Sequence, residues 1–466
     1  MKILFHGGRV VSEDGCRPAD ILVEDGIVRQ VGEGLEASDA RMVPVEGKLL
    51  FPGFIDAHTH FDLHVAGTVT ADDFETGTKA AICGGTTTII DFGTQYPGET
   101  MKEGLANWHK KAEGKSSCDY GFHMSITEWN EELSKEIDDM IAAGVTSFKL
   151  YMTYDTRVDD KTIFQILRRL KEVRGITGVH CENSGMIAAL QEEAKAKGKM
   201  GVSSHPAARP AAAEAEAIYR LLRLAEIAEA PVMVVHLTCQ EGLKVIREAR
   251  ERGQEVYAET CPQYLLMDDS LYQLPDFEGA RYVCAPPLRK PSDEASLWQA
   301  LKDGEIQTVS TDHCSFTLEQ KELGKEDFTK IPSGMPGVET RGILLYSEGV
   351  AAGRLDEAGM CRLLSSNPAK LYGLYPRKGV LAPGSDADIV VIDPSAHGII
   401  TAENQAANVD YAPFEGKQVT GCIEQVYLRG ELAAVRQQVV KTGLGQYVPR
   451  KTYEDCREKH AGTPGQ

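Results

Sequence analysis

The sequence lacks long hydrophobic runs and clusters of basic residues. Its 466 residues contain no uninterrupted stretch of about 18 apolar residues, so it predicts no helix that spans a membrane. It contains no run of five or more Lys or Arg, and 50 basic residues against 69 acidic ones give a net charge of −19. Because such a chain repels phosphate backbones, we expect no nucleic-acid partner. Because the long apolar run is missing, we expect no membrane partner.

Cysteine is present, but not in the pattern of a disulfide framework or of a thiolate zinc site. The 11 cysteines are odd in number, and no two are spaced as Cys-x-x-Cys. The apolar run at the start of the chain is too short for a signal peptide. We therefore expect a protein of the reducing cytoplasm.

Strand and turn patterns occupy both ends of the chain. Near the start, apolar segments on both sides of Asp25-Gly26 indicate a hairpin. Near the end, two further apolar strands are indicated at 388–393 and 423–428. Neither end is large enough to form a core by itself. We therefore predict a small β-sandwich domain from residues 1–50 plus 375–447, a larger domain at 51–374 inserted between them, and a polar C-terminal tail at 448–466.

The middle of the chain alternates short apolar strands with helical patterns, for example at 161–173 and 212–230. Eight strands that alternate with helices predict parallel pairing and an α/β fold of the (β/α)8 TIM-barrel type. A doubly wound open sheet is the alternative, although no Gly-x-Gly-x-x-Gly or phosphate-loop motif begins a helix. The predicted strands are residues 53–56, 87–91, 120–124, 147–151, 176–180, 232–236, 255–258 and 306–310.

Metal-binding residue types lie at the ends of these predicted strands. In a barrel of parallel strands these ends meet at one mouth, where such enzymes carry their catalytic groups. His58 and His60 are two apart on an extended chain and therefore face the same side. Each residue alone has a structural explanation, such as a hydrogen-bonded core histidine or a helix-capping aspartate. Their occurrence on successive strands predicts a metal site formed by His58, His60, Lys149, His180, His236 and Asp312.

Lys149 is unusual because an unpaired ammonium inside an apolar strand is costly and cannot bind a cation. A buried ion pair with an acid would explain it. Alternatively, nearby divalent ions lower its pKa, and the neutral amine adds carbon dioxide to become a carbamate that bridges two metals. Imidazole and carboxylate ligands suit Zn²⁺, with Mn²⁺, Co²⁺ and Fe²⁺ as alternatives. We therefore expect two divalent ions, zinc by preference, with carbon dioxide bound as a carbamate on Lys149.

The segments around these residues resemble the motifs of one enzyme family. Residues 51–60, FPGFIDAHTH, are similar to the opening metal motif of the amidohydrolase superfamily. Later segments resemble the hydantoinase/dihydropyrimidinase family of cyclic amidases, and within it the bacterial D-hydantoinases, including phenylhydantoinase types. These segments are residues 84–88, 147–151, 180–183, 259–264, 286–289, 311–314, 337–339, 367–369 and 381–388.

This resemblance implies a binuclear-metal cyclic amidohydrolase that opens the ring amide of hydantoins or dihydropyrimidines to N-carbamoyl amino acids. It implies that His58, His60 and Asp312 hold the more buried metal. The more exposed metal would be held by His180 and His236, with Lys149 bridging the two ions. The family also implies a homotetramer whose substrate is a small cyclic amide.

The resemblance also implies how the reaction is catalysed. Two cations would lower the pKa of a water that bridges them, producing hydroxide at neutral pH. Asp312 would take the proton from the attacking hydroxide and deliver it to the leaving ring nitrogen. Tyr154 matches the family tyrosine that donates a hydrogen bond to the developing oxyanion. A surface aromatic is the alternative interpretation of Tyr154.

Two expected substrate contacts depart from the family pattern. Ala285 stands where the family usually has Ser before Pro-Pro-Leu-Arg, and Ser333 stands where it usually has Asn before Gly334. If the backbone holds the substrate imide, both changes are tolerable, since the N–H and C=O groups are retained. Residues matching family positions near the substrate's exocyclic group are Val65, Tyr151 and Val158.

Three other functions fit parts of this pattern. Dihydroorotases usually carry Arg two residues after the second histidine to bind the substrate carboxylate, and here that residue is Asp62. Arg289 is the nearest arginine in a family motif, and we expect it to support its own loop instead of binding a substrate carboxylate. Allantoinase or another cyclic amidase is a closer alternative. A non-catalytic scaffold is an alternative of another class, although all six ligand positions are intact.

Overall fold

The computed structural model describes residues 1–458, and its centre is a barrel of eight parallel strands. Neighbouring strands follow chain order, and a parallel bridge between Thr59 and His313 joins the first strand to the segment after the eighth. The predicted (β/α)8 barrel is therefore confirmed, and the alternative of a doubly wound open sheet is excluded. From first to eighth, the barrel strands are Phe54–Thr59, Thr86–Thr94, Asp119–Ser125, Ser147–Tyr151, Ile176–His180, Val232–Val234, Val256–Thr260 and Thr308–Val309.

The fourth and fifth barrel strands have the bounds predicted from the sequence, whereas the sixth and eighth are shorter than predicted. The sixth ends at Val234 and the eighth at Val309. Beyond these ends His236 has a φ of 39° and Asp312 a φ of 52°, so both residues have left the extended conformation. Such backbone strain is typical of functional sites, where surrounding structure holds the residue in place.

Helices cover the outside of the barrel. Asp160–Glu172 buries Ile163, Ile166, Leu167 and Leu170, an i, i+3, i+4, i+7 stripe facing the strands. Within residues 1–458 no helix has both the length and the apolar character needed to cross a membrane. The helices of at least ten residues are Phe74–Cys83, Met101–Ala112, Glu131–Ala142, Asp160–Glu172, Ser184–Ala196, Ala211–Ala228, Gln240–Glu251 and Pro291–Lys302.

Shorter helical segments lie mainly in the loops and after the barrel. The short α-helices are His205–Ala208, Pro262–Leu266, Leu318–Lys321, Arg341–Leu344, Glu357–Cys361, Asn367–Leu371 and Tyr453–Glu458. Two of them continue with wider π-type turns at Leu345–Ala351 and Arg362–Ser366. Single 3₁₀ turns occur at Val202–Ser204, Asp269–Gln273, Glu278–Tyr282, Glu322–Gly324, Phe328–Lys330 and Ala402–Asn404.

The two chain ends build a pair of sheets, as predicted. The expected hairpin is present, since Asp20–Glu24 pairs with Ile27–Gly32 across Asp25-Gly26. Ile389–Ile399 pairs antiparallel with Leu49–Pro52, which joins the late part of the chain to the early part. In spatial order, one sheet is Ile27–Gly32, Asp20–Glu24, Lys2–His6 and Arg41–Pro44; the other is Gln438–Val439, Glu431–Val435, Gln418–Leu428, Ile389–Ile399, Leu49–Pro52, Arg9–Ser12 and Gly15–Pro18.

A separate hydrophobic core, which includes Phe5, Ile21, Ile389 and Tyr427, contains residues of both sheets. The limits of the predicted domains stay predictions.

The segment predicted as a polar tail begins against the barrel. Val448 donates its N–H to the carbonyl of Tyr120 at 2.8 Å, and Arg450 donates to the Ser147 hydroxyl at 2.8 Å. Both partners lie on barrel strands, so this part of the chain contributes to barrel packing. Residues 459–466 of the predicted tail lie outside the described residues.

Candidate metal centre and active site

The centre of the site is a carboxylate that meets two histidines of the first barrel strand. His58 lies within that strand and His60 directly follows it. Oδ1 of Asp312 lies 3.2 Å from Nε2 of His58 and 3.1 Å from Nε2 of His60. The two histidines therefore face the same side, as the His-x-His spacing predicted.

The other predicted ligands lie beside this group. The rings of His180 and His236 have centroids 4.5 Å apart, and His236 is 5.5 Å from His58. Nζ of Lys149 lies 5.0 Å from the ring of Phe92, which also contacts the rings of His58 and His60 at 4.6 and 4.8 Å. The barrel thus brings the predicted residues of five strands to one mouth.

The donor atoms fit a divalent metal centre. Ligand atoms of His58, His236 and Asp312 all lie within 4.8 Å of one another. Among the residues that the structure describes, the buried side-chain atoms without a hydrogen-bond partner include three imidazole nitrogens of this group, Nε2 of His58, Nδ1 of His60 and Nδ1 of His236. Unpaired buried imidazole nitrogens are costly unless something else satisfies them. Imidazole and carboxylate donors together suit zinc and similar ions.

Burial perturbs the ionisation of the groups in this mouth. It lowers the pKa of Lys149 to about 8, although Asp312 and Glu259 oppose the change. Burial raises the pKa of Asp312, but the adjacent His58 and His60 outweigh it and hold that pKa well below its usual range. The site therefore favours an ionised carboxylate and eases deprotonation of the lysine.

Two carboxylates support the histidines from behind, and sequence reasoning assigned them no role. Oε1 of Glu259 lies 2.6 Å from Nδ1 of His58, and Oε2 of Glu182 lies 2.7 Å from Nε2 of His180. Such a partner fixes the tautomer and orientation of the ring, leaving the other nitrogen to bind a metal. Both acids lie near strand ends, in the segments 180–183 and 259–264 that resemble the family. Their position at strand ends, which predicted the histidines, could therefore have predicted them as well.

Arg209 was also not predicted as a site residue. It contacts Glu182, the carboxylate that supports His180. Its guanidinium forms a buried ion pair with Glu182. Burial would raise the pKa of Glu182, but Arg209 and His180 lower it to about 2. Arg209 lies outside the predicted strands and outside the segments that resemble the family, so no sequence pattern predicted its role.

Tyr154 stands at the rim of this mouth. Its ring centroid is 5.1 Å from that of His180, and the Arg209 guanidinium lies 5.4 Å from the tyrosine ring. The residue is 37% exposed and has a φ of 70°. Tyr154 is therefore accessible to solvent while it contacts a candidate metal ligand.

The expected substrate contacts lie on separate segments of the chain. Tyr151 is near the rim, with its ring 6.2 Å from that of Tyr154, and its carbonyl accepts the Val158 N–H at 3.1 Å. Val65 is 40% exposed on the two-residue strand His64–Val65, which pairs with Thr68–Val69.

A third group of expected contacts follows the seventh and eighth strands. Ala285 is buried and Ser333 is half-buried. The N–H of Gly334 donates to the carbonyl of Val283 at 2.9 Å, so the loops that carry these residues are joined directly.

Arg289 supports its loop, as the sequence analysis expected. The side chain is buried and donates to Oε2 of Glu214 and to the hydroxyl of Thr238, both at 2.8 Å. It also donates to the carbonyl of Arg209 at 2.5 Å. Its charge is therefore already paired inside the protein.

Known proteins match both the sequence and the fold. Residues 49–433 match the amidohydrolase family. The chain is 44% identical over 460 residues to D-hydantoinase of Streptomyces coelicolor, covering 97% of this chain and 98% of that protein. It is 42% identical over 458 residues to D-phenylhydantoinase of Escherichia coli (strain SE11), covering 97% and 99%. The crystal structure of dihydropyrimidinase from Brevibacillus agri superposes with a TM-score of 0.96 at 44% identity, covering 97% of this chain and 99% of that one.

Proposed function

The chain belongs to the amidohydrolase family, and we propose that it is a binuclear-metal cyclic amidase that opens hydantoin or dihydropyrimidine rings to N-carbamoyl amino acids. The observation that carries this proposal is the convergence of four histidines, a lysine and an aspartate on one barrel mouth. Full-length similarity to hydantoinases narrows the chemistry from hydrolysis in general to cyclic amides.

We assign the ligands to two ions in the way that the family resemblance implies. His58, His60 and Asp312 would hold one ion, since a single carboxylate oxygen lies within 3.2 Å of both histidines. His180 and His236, whose rings are in contact, would hold the other. Lys149 would bridge the ions as a carbamate formed with carbon dioxide, since it is buried beside the same aromatic ring as His58 and His60. Zinc is the proposed metal because the donors are imidazole and carboxylate.

When bound, the two ions supply Lewis-acid polarisation of a carbonyl and acidify water. Asp312 would accept the proton of the attacking hydroxide and deliver it to the leaving ring nitrogen, because its carboxylate lies beside both His58 and His60 at the centre of the site. The hydroxyl of Tyr154 donates to the carbonyl oxygen as negative charge develops there. Backbone groups near Ala285, Ser333 and Gly334 hold the imide edge of the ring.

The surroundings of the mouth favour neutral rings. Arg289 is paired with Glu214, Arg209 is paired with Glu182, and position 62 is an aspartate. A ring carboxylate would therefore lose its hydration without gaining Arg209, Arg289 or an arginine at position 62 as a cationic partner. A neutral substituent at ring position 5 would instead contact the side chains of Val65, Tyr151 and Val158.

A hydrolysis panel of hydantoin, 5-phenylhydantoin, dihydrouracil, allantoin and dihydroorotate tests the proposal on the zinc-loaded protein. We expect neutral hydantoins or dihydrouracil to exceed dihydroorotate by about 10²-fold or more in kcat/KM, the loss expected for several kcal/mol of unpaired desolvation. Preference for allantoin would identify an allantoinase instead. Absence of turnover together with absence of bound metal would indicate the non-catalytic scaffold.

We further propose a cytoplasmic homotetramer. The compartment is proposed from the cysteine pattern, 11 residues with no Cys-x-x-Cys pair. The tetramer is proposed from the family resemblance. Sedimentation equilibrium across a range of protein concentrations would report the assembly.

A further inference from the structure

Lys321 is a buried cation outside the candidate metal centre. It ends the short helix Leu318–Lys321, and its side chain is completely buried. Its Nζ donates hydrogen bonds to three backbone carbonyls, those of Val283 at 3.0 Å, Pro332 at 2.6 Å and Gly334 at 2.7 Å. The three N–H groups of the ammonium are thereby all used.

These three carbonyls belong to the two loops that carry the expected imide contacts. Val283 lies two residues before Ala285, and Pro332 and Gly334 flank Ser333. The carbonyl of Val283 accepts both the Lys321 ammonium and the N–H of Gly334 at 2.9 Å. One cation thus ties the two loops to each other at the point where they approach.

The loops are also fixed on their far sides. His205 Nε2 lies 2.8 Å from the carbonyl of Cys284, and the Tyr264 hydroxyl donates to the carbonyl of Pro286 at 2.8 Å. Gly334 has a φ of +151°, and a Cβ there would lie 2.3 Å from the carbonyl oxygen of Cys314. The hydrogen bonds from the Lys321 ammonium and from the Gly334 N–H then join one loop to the other.

The charge of Lys321 has no acidic partner among the ion pairs of residues 1–458. The titratable groups that face it are the thiols of Cys284 and Cys314, and the ring of Phe316 lies 5.5 Å from its Nζ. Burial lowers the pKa of Lys321 to about 7. A buried cation held only by carbonyls is a costly way to stabilise a fold, so its position calls for another explanation.

We propose that Lys321 is a positioning residue that sets the distance between the Ala285 loop and the Ser333-Gly334 loop, and so determines which ring size the site accepts. This inference rests on the proposed function. Hydantoin and dihydrouracil present the same imide group on a five-membered and a six-membered ring. Two backbone loops held at a fixed separation therefore align one ring better than the other against the metal centre.

The experiment compares Lys321→Met, Lys321→Gln and Lys330→Met with the wild-type enzyme, all loaded with zinc. Lys330 is exposed on the same segment, so its variant controls for loss of a nearby positive charge. Hydantoin and dihydrouracil are supplied together, and the ratio of their kcat/KM values is measured by competition. This ratio does not depend on the fraction of active enzyme, so partial unfolding of a variant cannot change it.

We expect Lys321→Met to change the ratio by about tenfold, with both metal ions retained in elemental analysis, since small misplacements of a substrate cost this much or more. Lys321→Gln, which retains two N–H donors, should change it less, and Lys330→Met should leave it unchanged. An unchanged ratio in both Lys321 variants would overturn the inference, as would a change that accompanies loss of metal. Wild-type enzyme inactive on both rings would overturn the proposed function and this inference with it.

Discussion

Glu259 is expected to control how tightly the centre holds its metal, although it would bind none itself. The carboxylate is completely buried, and its Oε1 lies 2.6 Å from Nδ1 of His58. Because it accepts the Nδ1–H, the lone pair of Nε2 on His58 remains available on the side where Asp312 lies. Removing the acceptor frees the ring to rotate or to adopt the other tautomer, in which Nε2 carries the proton.

The size of the effect follows from this hydrogen bond. A bond to a charged group contributes about 1.5–3 kcal/mol, and about 1.4 kcal/mol corresponds to a tenfold change in an equilibrium constant. Glu259→Gln keeps a neutral acceptor of nearly the same size, so we expect zinc affinity to fall about tenfold. Glu259→Ala leaves Nδ1 without an acceptor, and we expect a fall of about 100-fold.

The measurement is a zinc titration of metal-free protein in competition with a chromophoric chelator, alongside kcat/KM at increasing free zinc. Glu248→Gln, an exposed acid on the neighbouring helix Gln240–Glu251, serves as the charge-matched control and should bind zinc like the wild type. Activity of Glu259→Gln should recover in excess zinc, because its defect is in affinity. Wild-type affinity in Glu259→Ala would refute the reasoning, and so would a loss of activity that excess zinc does not restore.

Three further predictions concern residues of the site itself. Lys149→Ala should lose most activity and at least one metal ion, measured by elemental analysis; retention of two tightly held ions with near-normal turnover would refute the carbamate bridge. Asp312→Asn should keep the fold, checked by circular dichroism, but lower kcat by about 10²–10⁴, or more if metal is also lost. Tyr154→Phe should lower kcat by about 10²–10³ in steady-state assays, and an unchanged kcat would mean that Tyr154 only packs at the rim.

The local pattern of the sequence was sufficient for the architecture and for the positions of the candidate ligands. Strand segments alternate with helical ones, and the bounds of strands such as Ser147–Tyr151 follow directly from short apolar runs. His58 and His60 share a side because alternation along a strand is a local property. Lys149 could be identified for a similarly local reason, since burying an unpaired ammonium in an apolar strand is costly in any fold.

Strand-end position could have marked acids such as Glu259 as candidates, but pairs between distant parts of the chain could not be predicted from the sequence. Glu259 meets His58 across 201 residues, and Lys321 binds carbonyls on two different loops. Which carbonyl or carboxylate faces a given side chain depends on the strand register of the closed barrel and on the paths of its loops. Neither is encoded in periodicity or in motif spacing. The sequence by itself therefore determined the fold and the chemical types in the mouth, whereas the tertiary structure alone decided which buried groups orient them.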